Sequence, residues 1–164
     1  MKLTVLSENS ACSPQFSCEH GLSVHVCTSD CAALFDTGAS DLFLTNAAAC
    51  GIDLSTVSCA VISHGHYDHG GGIAAFLRVN QTAPVYLHNG AFAPLYSRRA
   101  EGLAFIGLPP GLNDHERLRI ISCDSIAPVC YHVAVSSAAA AAALFPDASQ
   151  ILLIPTADGN FPVP

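Results

Sequence analysis

An apolar strand that ends in a histidine-rich turn most restricts how this chain can fold. Residues 60–63 read Ala-Val-Ile-Ser, a short run that predicts a strand in a buried position. The next seven residues, 64–70, read His-Gly-His-Tyr-Asp-His-Gly, and two more glycines follow. Buried apolar strands belong inside layered structures, whereas charged and imidazole groups need solvent or a ligand. The pattern therefore predicts a strand inside a layered domain, followed by a loop that carries the polar groups.

The patterns on either side predict alternating strands and helices. Upstream they predict a strand at Leu3–Glu8, a hairpin of 22–28 and 32–35 turning at Ser29-Asp30, and a helix from Ser40 or Asp41 to about Cys50, stopped by Gly51. Downstream they predict a helix from Gly71 or Gly72 to about Val79 and strands at 84–88, 118–122, 131–136 and 151–154, with an alanine-rich helix at 138–144. This alternation is typical of a single α/β-type layered domain.

The composition excludes several classes of protein. Of the 164 residues, 51% are hydrophobic and 12% are charged, which is a globular composition. The formal charge of −7, with Arg98-Arg99 as the only adjacent basic pair, argues against a nucleic-acid or membrane-surface partner. There is no secretory signal and no stretch of the roughly 18 apolar residues that a membrane span needs. We therefore expect a cytoplasmic protein whose eight cysteines are reduced thiols.

The histidine-rich segment has the spacing and the donor atoms of a metal site. His64 and His66 are two residues apart and point the same way in an extended segment. Asp68 and His69 follow at once, where the glycines 70–72 let the chain turn. Zinc takes such nitrogen and oxygen donors, although manganese or iron would also accept them. A metal-bound water that loses its proton near pH 7 gives a hydroxide that attacks esters, amides or phosphodiesters. A solvated loop with three histidines by chance is the less favoured interpretation.

The pattern His64-x-His66-x-Asp68-His69 resembles the signature of the metallo-β-lactamase superfamily. Two further segments, Glu-His-Gly-Leu-Ser at 19–23 and Leu-Phe-Asp-Thr-Gly at 34–38, occur in an order similar to the branch of dihydropterin-phosphate-synthase-like hydrolases. The resemblance covers residues 1–96 well and fades afterwards. It implies an αββα sandwich, with metals at the edge between its two sheets, and a metal-dependent hydrolase that acts on a small-molecule substrate.

The resemblance also implies a role for each residue of the site. His64 and His66 would bind a first zinc ion. Asp68 and His69 would bind a second, and Asp68 would also orient the attacking water as the catalytic residue. Asp36 would lie behind them and accept a hydrogen bond from a ligand imidazole, which fixes its tautomer. On the sequence alone, a turn residue that closes a strand is an equal alternative for Asp36.

The remaining ligands of the family come from its second half, and no histidine here has a matching context. His88 ends a strand, His115 lies in a polar loop and His132 lies in an apolar run. Glu19 and His20 are expected in a loop, with an approach to the site as the alternative. The tail at 158–162 resembles the stretch that precedes the family's second ligand-bearing half. The sequence thus predicts a partial domain over 1–164, mainly the N-terminal half, that binds metal loosely and turns over slowly or not at all.

Two other functions remain open at this point. The segment 34–40, Leu-Phe-Asp-Thr-Gly-Ala-Ser, resembles the aspartic-protease signature, in which two copies of the Asp36-Thr37-Gly38 loop would meet in a dimer. This interpretation leaves the histidines unexplained. A non-catalytic metal-binding module is the other alternative, favoured by the missing ligands. The sequence does not indicate an oligomeric state.

Overall fold

The computed structural model describes residues 1–121, and only the backbone of residues 126–130, 133–137 and 150–153. The strands are β1 Lys2–Ser7, β2 Ser23–Cys27, β3 Ala32–Phe35, β4 Cys59–Val61, β5 Val85–His88, β6 Tyr96–Arg99, β7 Gly102–Phe105, β8 Leu118–Ile121, β9 Ile126–Cys130, β10 Val133–Ser137 and β11 Gln150–Leu153. The α-helices are α1 Leu42–Ala49, α2 Tyr67–Gly70 and α3 Ile73–Val79, with 3-10 turns at Leu54–Thr56 and Asn89–Phe92.

A six-stranded mixed sheet forms the centre of the fold, in the order β1-β2-β3-β4-β5-β8. The first three strands are antiparallel, as the predicted hairpin requires, and β3, β4, β5 and β8 are parallel. Parallel neighbours need crossover connections, which contain α1 and α3 here. The strands β9–β11 form a separate antiparallel sheet, and β6–β7 form a hairpin. The predicted mixed α/β class is confirmed.

Apolar side chains cover both faces of this sheet. Phe43 of α1 and Phe76 of α3 are fully buried in the larger cluster, together with Leu34 and Ile62 from the sheet side. A smaller cluster on the other face contains Val26, Ala33, Cys59, Val61 and Ile121. Each large side chain buried in this way contributes roughly 1.5–3 kcal/mol relative to exposure. The strand β4 is buried at every position, as its apolar sequence predicts.

The helix boundaries follow the predicted signals. The Ser40 hydroxyl accepts a hydrogen bond from the Leu42 amide at 3.1 Å, at the start of α1. Gly51, just beyond its end, has a φ of +68°, a conformation that favours glycine. Gly72 precedes α3, as predicted. The motif itself was expected to be a loop, but Tyr67–Gly70 forms one helical turn, because the amides of His69 and Gly70 both donate to the His66 carbonyl.

Other expectations differ from the structure. The strands β6, β7 and β9 were not predicted, and the expected strand at 131–136 lies at Val133–Ser137. The predicted helix at 138–144 lies outside the described residues. Cys31 is disulfide-bonded, so the expectation of reduced thiols is wrong at this position, whereas Cys12, Cys18, Cys27, Cys50 and Cys59 are free. No helix in the described part of the chain is long and apolar enough to cross a membrane.

Candidate metal centre

The candidate site lies where the parallel strands β3 and β4 end. Phe35 is in register with Val61, so Asp36 leaves the sheet beside the segment that follows β4. The Asp36 amide donates to the Val61 carbonyl at 2.8 Å. Asp36 has a φ of 57° and is the one non-glycine residue with positive φ among those described. Aspartate tolerates this left-handed conformation better than most residues, which lets the chain turn directly at the end of the strand.

The Asp36 carboxylate is fully buried and accepts three hydrogen bonds. Its Oδ1 accepts from the Ser63 amide at 2.7 Å, and its Oδ2 accepts from the Ser63 hydroxyl at 2.8 Å. The third donor is His69 Nδ1, 2.7 Å from Oδ2. A buried carboxylate is expensive unless its oxygens are paired in this way. Asp36 therefore lies behind the motif and contacts one of its imidazoles.

His64 and His66 bring two ring nitrogens together. His64 Nε2 lies 3.0 Å from His66 Nδ1, and the two rings meet edge-on with their centroids 4.6 Å apart. The His69 ring lies 4.2 Å from the His64 ring, centroid to centroid. Burial lowers the pKa of the His64 imidazole below its usual value, and charge on His69 and His66 lowers it further. The neutral imidazole is therefore favoured at His64, and this is the form that binds metals.

His69 and Asp68 form the other half of the cluster. Because His69 Nδ1 donates to Asp36, its Nε2 is left to face Asp68 Oδ2, 3.7 Å away. Burial acts to lower the pKa of His69, but the hydrogen bond and charge of Asp36, with the charge of Asp68, outweigh it and raise the pKa. His20 Nε2 approaches Asp68 Oδ2 from solvent at 3.3 Å, with 71% of the His20 side chain exposed.

The donor atoms fit a metal as two separate pairs. Two zinc ligands at about 2.0–2.1 Å from a tetrahedral ion lie about 3.3–3.4 Å apart. The nitrogens of His64 and His66, at 3.0 Å, need to separate only slightly, and Asp68 Oδ2 and His69 Nε2, at 3.7 Å, need to close slightly. Within the described residues, no group of three or more His, Cys, Asp or Glu side chains is placed to hold a metal ion. The chemistry of the donors fits, but each pair is only part of a ligand shell.

The other predicted candidates lie around the cluster. Glu19 has the expected loop role, since Oε1 accepts from the Ala39 amide at 3.0 Å and Oε2 from the Ser40 hydroxyl at 2.6 Å. His88 Nδ1 accepts from the Gly90 amide, and His115 Nδ1 accepts from the Arg117 amide, each within its own turn. His132 lies outside the described residues.

Sequence reasoning missed a hairpin that is attached to the motif. The Tyr67 amide donates to the carbonyl of Ile106, the residue after β7, at 2.9 Å, and His66 forms a β-bridge with the next residue, Gly107. Tyr96 pairs with Phe105 across the hairpin, and both side chains are about half exposed, at 57% and 51%. A half-buried strand is usually recognised in a sequence by alternating apolar and polar residues. The hairpin offers little of this signal, because its strands read Tyr-Ser-Arg-Arg and Gly-Leu-Ala-Phe.

The structure disfavours the aspartic-protease interpretation. Catalytic carboxylates of that kind meet in an open cleft, where they share a proton. Here the side chains of both Asp36 and Thr37 are buried, and the Thr37 hydroxyl donates to the His69 carbonyl at 3.2 Å. The Asp-Thr-Gly segment therefore supports the histidine cluster.

Comparisons with known proteins agree on one superfamily. The sequence profile described as the Metallo-beta-lactamase superfamily matches residues 18–154. No curated protein matches the sequence. Among solved structures, Tm1679, described as a metal-dependent hydrolase of the beta-lactamase superfamily, is 27% identical with a TM-score of 0.68, over 94% of this chain and 61% of that chain.

Two metallo-beta-lactamases show the same fold at lower identity. MIM-1 from Novosphingobium pentaromativorans is 20% identical with a TM-score of 0.57, and Rm3 is 23% identical with a TM-score of 0.59. In both cases the match covers 85% of this chain and 52% of the other. The chain thus spans between one half and two thirds of the length of these structures.

Proposed function

Because the chain belongs to the metallo-β-lactamase superfamily, we propose that it carries the metal-binding part of a metal-dependent hydrolase. The substrate in this proposal is a small molecule with an ester, phosphodiester or related bond. The observation that carries it is the convergence of His64 Nε2 and His66 Nδ1, 3.0 Å apart, beside an imidazole held by a buried carboxylate. Such second contacts are what orient metal-binding histidines.

Each residue of the cluster would have a separate role in metal binding or in orienting the attacking water. His64 and His66 would hold one ion, and Asp68 and His69 a second. Zinc, manganese or iron bound here would supply Lewis acidity and an acidified water. The Asp68 carboxylate, whose side chain is 14% exposed, would accept a hydrogen bond from the attacking water and orient it. Asp36 would keep His69 Nε2 turned towards Asp68.

In this proposal each metal ion needs further ligands besides the His64–His66 pair or the Asp68–His69 pair. The chain covers 61% of the length of Tm1679, and the two pairs provide only two donors each. Zinc affinity depends on the number and the geometry of the ligands. We therefore propose that the 164-residue chain alone binds metal loosely and turns over slowly or not at all.

The hairpin β6–β7 is the proposed place of substrate approach. It leaves the motif at Ile106 and presents Tyr96 and Phe105 to solvent, with Arg98 on the same face of the ribbon. An aromatic pair beside a cation suits an aromatic or anionic small molecule. The resemblance of 19–23 and 34–38 to the dihydropterin-phosphate-synthase-like branch points the same way, towards a phosphate- or pterin-related compound.

The experiment measures metal binding and hydrolysis separately on the purified chain. Zinc affinity is determined by competition with a chromogenic chelator, for the wild type, His66→Ala and, as a control from another turn, His115→Ala. Hydrolysis of p-nitrophenyl acetate and bis-p-nitrophenyl phosphate is followed with zinc or manganese added. We expect weak zinc binding that His66→Ala loses and His115→Ala keeps. Wild-type binding no tighter than that of His66→Ala would overturn the metal site, and tight stoichiometric binding of two zinc ions would overturn the proposed incompleteness.

A non-catalytic metal-binding module is the second candidate. It is favoured by the observation that no group of three ligating side chains forms within the described residues. The same experiment separates the two functions. Zinc binding that depends on His66, with hydrolysis no faster than in buffer containing zinc, supports the module. Slow hydrolysis that His66→Ala abolishes supports the enzyme.

A further inference from the structure

The Ser63 hydroxyl lies between a buried carboxylate and a second imidazole of the cluster. Its Oγ is 2.8 Å from Asp36 Oδ2 and 2.9 Å from His64 Nδ1. Ser63 is only 8% exposed, and its amide also donates to Asp36 Oδ1 at 2.7 Å. Two contacts to the same carboxylate hold the serine in place, so the position of its hydroxyl is determined by Asp36.

The direction of each hydrogen bond follows from the donors available. An ionised carboxylate only accepts, so the single hydroxyl proton of Ser63 goes to Asp36 Oδ2. The hydroxyl oxygen is then an acceptor towards His64, and His64 Nδ1 must carry the proton. The reverse arrangement would place an oxygen lone pair against the carboxylate at 2.8 Å. The chain of contacts therefore selects the Nδ1–H tautomer of His64.

We propose that Ser63 is a positioning residue that relays the Asp36 carboxylate to His64. One buried carboxylate then fixes two imidazoles, His69 directly and His64 through the serine hydroxyl. In both rings Nδ1 carries the proton and Nε2 keeps its lone pair. His64 Nε2 is the atom that faces His66 Nδ1 at 3.0 Å. The inference deepens the proposed metal site and rests on that proposed function for its purpose, but the tautomer can be observed in the metal-free protein.

The first test is the imidazole tautomer, measured by long-range ¹H–¹⁵N correlation on the metal-free chain. A pH of about 8–9, well above the ordinary imidazole pKa, is used because Asp36 and Asp68 raise the pKa of His69. We expect the Nδ1–H form at both His64 and His69 in the wild type. Ser63→Ala should shift His64 towards the Nε2–H form. His69 should keep the Nδ1–H form, because its Nδ1 lies 2.7 Å from Asp36 Oδ2 but 3.5 Å from the Ser63 hydroxyl. Ser63→Thr, which keeps the hydroxyl, should restore His64. Asp36→Asn should perturb both rings.

Two results would overturn the relay. One is a His64 tautomer that Ser63→Ala leaves unchanged, and the other is an equal change at His64 and His69, which would indicate general loosening of the site. If Ser63→Ala does not fold, Ser63→Cys keeps nearly the same volume, and its thiol is a weak acceptor. It should shift His64 in the same direction, and a wild-type tautomer in this variant would also overturn the relay.

Zinc affinity gives the second readout. Loss of such a supporting contact typically weakens metal binding about 10–100-fold. We expect Ser63→Ala to fall in this range and Ser63→Thr to stay within about threefold of the wild type. If the wild-type chain binds no zinc, the proposed function is wrong, and the tautomer measurement alone then decides whether Ser63 positions His64. Binding that is unchanged in Ser63→Ala would overturn the relay while leaving the metal site intact.

Discussion

The two sides of the histidine cluster are built in opposite ways. On the inner side, Asp36, Ser63 and His69 form a polar network in which the carboxylate has no exposed surface. On the outer side, the hairpin β6–β7 presents Tyr96 and Phe105 to solvent. Both sides touch the same motif, one through side-chain hydrogen bonds and the other through the backbone at Tyr67.

This difference predicts that the two sides tolerate substitution unequally. Buried hydrogen bonds lose much of their value when one partner is removed, because the remaining group stays desolvated. Substitution of an exposed apolar side chain changes the free energy of unfolding little, since folding did not remove that side chain from water. We therefore expect substitutions on the inner side to affect stability and metal binding, and those on the outer side to affect mainly what the site accepts.

The largest effect is expected from Asp36→Ala, on the inner side. It leaves the Ser63 amide and hydroxyl and the His69 Nδ1–H without an acceptor, and we expect a loss of roughly 3–5 kcal/mol in the free energy of unfolding. Urea denaturation measures it. Asp36→Asn removes the negative charge but keeps a residue that tolerates the left-handed conformation, so it measures the effect of the charge alone. Asp41→Ala, at an exposed helix start without a side-chain cap, is the control and should change stability by less than about 0.5 kcal/mol. A loss below about 1 kcal/mol in Asp36→Ala would contradict the importance of the inner side.

A second pair of substitutions compares two glycines. A Cβ at Gly71 would lie 2.2 Å from the Ala39 carbonyl oxygen and 2.5 Å from that of Tyr67, so Gly71→Ala should cost roughly 1–3 kcal/mol by overpacking. Gly102, in the hairpin, has open space around a Cβ but a φ of +127°, so the alanine there costs about 1 kcal/mol from strain alone. Thermal unfolding ranks the two. A larger loss at Gly102 would show that the backbone of Ala39 and Tyr67 moves aside for a Cβ at Gly71.

His25 is a buried imidazole outside the cluster, and it contrasts with His69, whose Nδ1 is hydrogen-bonded to Asp36. His25 is 8% exposed, and its Nδ1 has no hydrogen-bond partner. Burial lowers its pKa, and Lys2 lowers it further. The unfolded chain then binds more protons at acidic pH, so stability is fully present above about pH 6.5 and falls as the pH drops below that value. Urea midpoints at several pH values should show this decline, and His25→Leu should flatten it. An equal slope in the variant would show that His25 does not cause it.

The smallest effect is expected in the hairpin. Tyr96 and Phe105 form an edge-on pair with centroids 5.6 Å apart, which contributes about 0.5–1.5 kcal/mol. A double-mutant cycle of Tyr96→Ala and Phe105→Ala should return a coupling in this range, with zinc affinity unchanged in all three variants. A tenfold loss of zinc affinity in any of them would break the distinction between the two sides.

Local patterns predicted the elements of the fold but not the contacts between them. The strands β1 to β5 follow from alternating or continuous apolar residues, the starts of α1 and α3 from Ser40 and Gly72, and the end of α1 from Gly51. The motif at 64–70 is contiguous, so its four donors could be named from spacing. The role of Ser63 could not, because its contact with Asp36 depends on the register of β3 against β4. The glycines after the motif were expected to allow a turn, and Gly71 and Gly72 also permit close approach of backbones.

The parallel pairing of β3 with β4 also determines when the site can form during folding. Asp36 and Ser63 are separated along the chain by α1 and a 3-10 turn, and they meet only after that long loop has closed. Closing such a loop is an entropic barrier that non-local contacts repay only late. An early collapsed chain would hold the histidines of 64–69 without the carboxylate behind them. Added zinc should then stabilise the native state rather than guide the first steps, raising the unfolding midpoint with little change in the refolding rate.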